Sequence, residues 1–93
     1  MSSLIATIRV HKEKIEEAKG FLKELADQVR REEPGTLAYV VHQRKDEPNA
    51  FVVYEKYESK EAFKAHQENL GQHAARFGSL LAGPPELVRV EEI

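Results

Sequence analysis

The sequence predicts an α+β domain with the order strand, helix, strand, strand, helix, strand across residues 1–93. Three observations carry this expectation. Apolar residues alternate with period two near both ends and in the middle of the chain, the period of a strand. Between those runs the apolar residues recur three and four apart, as on one face of a helix. Proline and glycine punctuate the changes of period.

Leu4 to Val10 sets Leu4, Ala6, Ile8 and Val10 on one side and Ile5, Thr7 and Arg9 on the other, which predicts the first strand. From Ile15 the stripe Ile15, Ala18, Leu22, Leu25, Ala26 and Val29 predicts the first helix, with Phe21 widening its edge. Glu16, Lys23, Glu24, Asp27 and Arg31 form a solvated face, on which Asp27 and Arg31 are spaced for an i, i+4 pair. Gly20 inside this helix is expected to mark a close approach of backbone to a neighbour. Pro34 and Gly35 stop the helix, the glycine suiting the turn that follows.

Thr36 to Arg44 and Ala50 to Glu58 are β-rich runs joined by a polar segment containing Pro48 and Asn49, which predicts an antiparallel hairpin. Leu37, Tyr39 and Val41 are expected on one face and Ala38 and Val40 on the other, while Phe51 and Val53 oppose Val52 and Tyr54. Neither face is polar, so a second covering layer is implied. No unused element supplies it, and a second copy of the chain does so most simply, which predicts a homodimer. Ser59 offers an N-cap hydroxyl and Glu61 a first-turn negative charge to a second helix carrying Ala62, Phe63, His66 and Leu70 on one face. Gly71 breaks it, and a further helical stretch brings His73, Phe77 and Leu80 or Leu81 to one side before Gly83-Pro84-Pro85. Leu87 to Glu92 is the last strand.

Composition narrows the function. Fourteen basic and sixteen acidic side chains give a formal charge of −2, which gathers no phosphates, so nucleic acid is not an expected partner. The absence of cysteine removes disulfides, zinc-thiolate sites and thiol nucleophiles and fits a reducing cytoplasm. The first residues lack a basic segment followed by an apolar stretch, and no apolar run is long enough for a bilayer, so neither export nor a membrane partner is expected. His11, His42, His66 and His73 show none of the tight spacings of metal ligands, and no phosphate-cradling glycine loop or serine nucleophile motif is present.

Several segments together resemble the antibiotic biosynthesis monooxygenase family. They are Glu33-Pro34-Gly35-Thr36 through Tyr39, Phe51 through Ser59, Glu61-Ala62-Phe63, Ala65-His66, and Leu81-Ala82-Gly83-Pro84-Pro85. The resemblance spans nearly the whole chain and implies a ferredoxin-like βαββαβ fold, an antiparallel sheet with helices on one face, pairing into a dimeric α+β barrel with a pocket in each subunit. It also implies a choice of activities: oxygenases of phenols or quinols that need neither metal nor flavin, haem-degrading enzymes, and isomerase-like proteins acting on a phosphorylated signalling sugar. The haem-degrading branch relies on an asparagine, a tryptophan and a histidine where this chain has Ile8, His66 and Arg76, which argues against that activity.

Two residues are singled out as catalytic. His66 lies among Ala62, Phe63 and Leu70 and matches a histidine of the family; it reads either as a core histidine held by one hydrogen bond or as a group exchanging a proton near neutral pH, and the resemblance favours the second. Glu55 shares a strand face with Phe51, Val53 and Tyr57 and is expected either to orient a histidine or to pair with a lysine or arginine. Tyr39, Tyr54, Tyr57, Phe63, His73 and Phe77 are the candidate substrate-binding residues, with core packing as the alternative, and the family's next histidine falls closer in sequence than His73 does. The expected activity is a monooxygenase without flavin, haem or metal, taking dioxygen and a small aromatic, quinol or polycyclic phenol. The alternatives are the sugar-phosphate isomerase, for which Arg76 is the one cation expected near the pocket, and a non-catalytic small-ligand-binding dimer.

Overall fold

The computed structural model describes residues 2–93. Four strands, β1 (Ser2–Arg9), β2 (Thr36–Gln43), β3 (Ala50–Tyr57) and β4 (Glu86–Val90), form one antiparallel sheet in the order β2-β3-β1-β4. Helix α1 (Ile15–Glu32) links β1 to β2, and α2 (Lys60–Leu70) and α3 (Ala74–Leu80) lie between β3 and β4. This is the ferredoxin-like βαββαβ arrangement, with its second helical segment divided in two.

The helices pack on the sheet face that carries Leu4, Ala6, Ile8, Tyr39, Phe51, Val53 and Tyr57, all buried. Helix α1 contributes Ala18, Phe21, Leu22, Leu25, Ala26 and Val29, the stripe that its periodicity marks out. Ser59 is the N-cap of α2, its Oγ accepting from the Ala62 N–H at 3.0 Å. A 3-10 turn over Gly71–His73 separates α2 from α3, and Gly71 keeps right-handed helical angles there. The apolar contents of α2 and α3 are only partly covered: Ala62, Phe63, Leu70 and Phe77 pack on the core without closing over it. An opening between sheet and helices results.

Four local expectations are corrected. A Cβ built on Gly20 meets nothing within 4 Å, so that glycine marks no close approach. The close approach is at Gly35, whose Cβ would stand 2.7 Å from that of Ala62, and since no described glycine has a positive φ, space rather than backbone angle selects glycine there. Asp27 pairs with Arg30 at 2.7 Å, while Arg31 turns to the Asp27 carbonyl. Leu37 does not share a face with Tyr39, because an irregularity between Thr36 and Ala38 shifts the pairing with β3 and leaves Leu37 exposed.

The other sheet face bears Ile5, Val40, Tyr54, Val88 and Val90, all exposed, with no element of this chain over them. Among the described residues, no helix is long and apolar enough to cross a membrane.

Candidate active site

A cavity of about 280 Å³ lies between the sheet and the α2–α3 segment. Leu4, Ala6 and Ile8 form its floor, Phe63, Leu70 and Phe77 its roof, and Pro85 and Leu87 one wall. Its polar groups gather in one place, where Tyr39, Glu55, His66 and Gln67 meet. The burial of apolar residues at period two on β1 and period 3.6 on α2 therefore builds an apolar slot that is polar at a single end.

His66 occupies that end. Two turns after the Ser59 cap, it is the one buried residue of α2, 2% exposed, and its ring stands 5.1 Å from that of Tyr39 and 5.3 Å from that of Tyr57. Its Nδ1 is 2.8 Å from Glu33 Oε1, and that oxygen also accepts from Thr36 Oγ1 at 2.8 Å. Nε2 is buried and has no hydrogen-bond partner. Glu55 Oε1 is 3.9 Å away, too far for a hydrogen bond.

Glu55 fills neither expected role. It accepts the Tyr57 hydroxyl at 2.5 Å, and its ionic neighbour is His66 rather than a lysine or arginine. Burial pushes its carboxyl up from the ordinary value of 4.5, while the Tyr57 hydrogen bond and the His66 imidazole pull it down and Glu33 adds to the rise. Tyr39 and Tyr57 are both pushed up, first by burial and then by the Glu55 charge. Both phenols therefore remain protonated donors at neutral pH.

The structure brings together His66, Glu55, Tyr39, Phe63 and Phe77 of the sequence candidates on the cavity. Tyr57 supports them from beneath, holding Glu55 and touching Phe63 edge-on at 5.1 Å. Tyr54 is corrected: its strand parity is that of Val52 and Lys56, so it points to the far side of the sheet. His73 is corrected too; it lies against α1, with Nε2 3.0 Å from Gln28 Oε1 and its ring edge-on to Phe21. Arg76 likewise leaves the cavity, reaching Glu24 at 3.3 Å and lying over Phe21. Arg89 lies 5.7 Å above the ring of Phe63, a cavity-lining residue. Glu33 is the partner that pattern reading missed, although it opens the Glu33-Pro34-Gly35-Thr36 segment.

A wider groove of about 440 Å³ runs between α1 and β2, lined by Lys19, Lys23, Arg30 and His42. Those four side chains are exposed or half-exposed, and no buried unpaired group points into the groove, unlike His66 Nε2. Among the described residues, no cluster of three or more histidine, cysteine or acidic side chains is arranged to hold a metal ion.

The chain is thus a small ferredoxin-like α+β protein with a slot under its second helical segment and a histidine lining that slot. The antibiotic biosynthesis monooxygenase family model matches residues 1–77, and the chain belongs to that family. No curated protein matches it in sequence. Among solved structures it is similar to a "putative antibiotic biosynthesis monooxygenase" from Caulobacter crescentus, with 29% identity over 99% of this chain and 89% of that one and a TM-score of 0.90. A protein of the same description from Nitrosomonas europaea is 26% identical over 100% of this chain and 99% of that one, with a TM-score of 0.90. PA3566 from Pseudomonas aeruginosa, 24% identical over 99% of this chain and 93% of that one, shares the fold at a TM-score of 0.87.

Proposed function

We propose that this protein is a monooxygenase that needs no flavin, haem or metal and acts on a small aromatic, quinol or phenol-type metabolite. The observation that carries the reading is the buried, unpartnered Nε2 of His66 at the polar end of an apolar cavity. A buried lone pair with no protein partner is suited to take a proton from a bound hydroxyl. The resulting phenolate or enolate is electron-rich enough to reduce dioxygen itself, so the substrate acts as reductant. One oxygen atom then enters the substrate, and the other leaves as water with the two hydrogens that the substrate gives up. The protein supplies a base, orientation and an apolar enclosure. Family membership supports this reading.

The cavity also bears on the substrate. At about 280 Å³ it lies at the small end of the range for ligand pockets, which favours a compact metabolite. Among the described residues no lysine or arginine lines it, Glu55 does, and Glu33 stands behind His66, so that Arg89 over the Phe63 ring is the cation available to a phosphate; this weighs against the sugar-phosphate isomerase. The slot is not filled by the chain's own side chains, which weighs against a purely structural role.

We further propose a homodimer formed through the apolar outer face of the sheet, as in the dimeric α+β barrels that the family resemblance implies, and a cytoplasmic location, on the absence of cysteine. The test of function is oxygen uptake by the purified protein with 1-naphthol, naphthalene-1,4-diol and anthrone, in chelator and without flavin. Enzyme-dependent uptake matched by one oxygenated product supports the reading. Binding of these probes without uptake above the uncatalysed rate refutes it.

A further inference from the structure

We propose that Glu33 is a positioning residue for His66: its carboxylate accepts the hydrogen bond from Nδ1–H, fixes the tautomer whose Nε2 lone pair faces the cavity, and balances the charge that appears when Nε2 accepts a proton. This rests on the reading of His66 as the base. A neutral imidazole carries one N–H, and an ionised carboxylate only accepts. With Nδ1 at 2.8 Å from Glu33 Oε1, the hydrogen belongs on Nδ1. The opposite tautomer would set a lone pair against a carboxylate oxygen and leave an N–H buried without an acceptor, two penalties of desolvation at once.

The surroundings of Glu33 hold it in place for this task. Its backbone N–H closes the end of α1 on the Val29 carbonyl at 3.0 Å, and its own carbonyl accepts the Thr36 N–H at 3.0 Å. Thr36 Oγ1 donates to the same carboxylate oxygen that faces His66. Gly35 lets this turn press against α2 at Ala62, one helical turn before His66 and on the same face. The missing Cβ thus sets the separation of the turn from the helix, and with it the distance from Glu33 to His66. Among the described residues Glu33 is part of no other ion pair.

Histidine tautomers are visible in two-bond proton–nitrogen correlation spectra of the histidine-labelled protein, with His66→Gln used to assign the signal. The neutral His66 ring of the wild type is expected to show the proton on Nδ1. In Glu33→Gln, whose amide can donate as well as accept, the proton is expected to move wholly or partly to Nε2 while the thermal melt stays cooperative. With whichever of the three probes is consumed, kcat of Glu33→Gln should fall by about 10²-fold or more with little change in KM, as for other carboxylates that orient a catalytic imidazole. Thr36→Val, which frees Glu33 without removing its charge, should shift the tautomer and kcat in the same direction but less. It also serves if Glu33→Gln fails to fold. A proton on Nε2 in the wild type, or an unchanged tautomer in both variants, overturns the proposal. If the tautomer responds to Glu33 but His66→Gln keeps full turnover, the positioning stands as geometry and the reading of His66 as the base is what fails.

Discussion

Two roles of the His66 side chain can be separated by the length of the replacement. His66→Ala leaves a hole between Tyr39 and Tyr57 and strips Glu33 of its buried partner, so it should cost about 1 to 3 kcal/mol of stability and lower turnover by about 10² to 10⁴. His66→Gln can still donate to Glu33 and should recover part of the stability but none of the turnover. Thermal melts beside oxygen uptake check this; full activity in either variant removes His66 from the chemistry. Glu55 makes a prediction in pH. Its carboxyl is raised in the folded state, chiefly by burial, so the folded protein binds a proton that the unfolded chain has already released. The contribution is therefore fully present below about the ordinary value of 4.5 and is lost as pH climbs through the higher folded value. Glu55→Gln, which keeps an acceptor for Tyr57, should match the wild type near pH 4 and exceed it in stability at pH 7. Denaturant titrations at both pH values decide it, and a gap of equal size at each would contradict the assignment.

Elements respond to their glycines in opposite ways. Gly20 lies within α1 with open space where a side chain would go, so Gly20→Ala should stabilise by up to about 1 kcal/mol. Gly35→Ala drives a methyl to 2.7 Å from the Ala62 Cβ, and should cost about 1 to 3 kcal/mol as β2 and α2 part. Chemical denaturation of the pair tests both signs. The same contrast explains what the sequence could and could not show. Strand and helix are readable because burial imposes a period, and the α1 stripe and alternating β1 match their buried faces except at half-buried Ile15 and at Ser3, which is buried although its parity is that of the outer face. A close approach of two backbones imposes no period, so nothing in the sequence assigned it to Gly35 rather than to Gly20. The shifted register at Leu37 is invisible for a related reason: one extra residue in a strand leaves composition unchanged while reversing a face. Tyr54 was within reach of parity alone, since it alternates with the inward Val53 and Glu55, but grouping the aromatics by chemistry concealed it. Glu33 escaped because the apolar stripe of a helix says nothing about the charged residue just past its end.

At the scale of the molecule, the proposed dimer rests on the uncovered sheet face. Ile5, Val40, Tyr54, Val88 and Val90 span all four strands, and an apolar surface of that breadth marks an interaction face. Light scattering should give about twice the 10.6 kDa chain mass at micromolar concentration, and the double variant Tyr54→Lys, Val88→Lys should be monomeric with unchanged helix content. A wild-type monomer with native circular dichroism would falsify the dimer. The strand order has a further consequence, in time rather than space. β1 is interior to the sheet, yet its outer neighbour is β4, so that Ser3 faces Val90 across nearly the entire length of the chain. During synthesis β1 emerges well before β4, and its outer edge waits for that partner while the intervening elements follow. Such remote pairing slows folding and leaves a strand edge open to wrong partners meanwhile. Because Pro85 and Leu87 line the cavity, it closes only once β4 has docked, and ligand can contribute to stability only after that late pairing has formed.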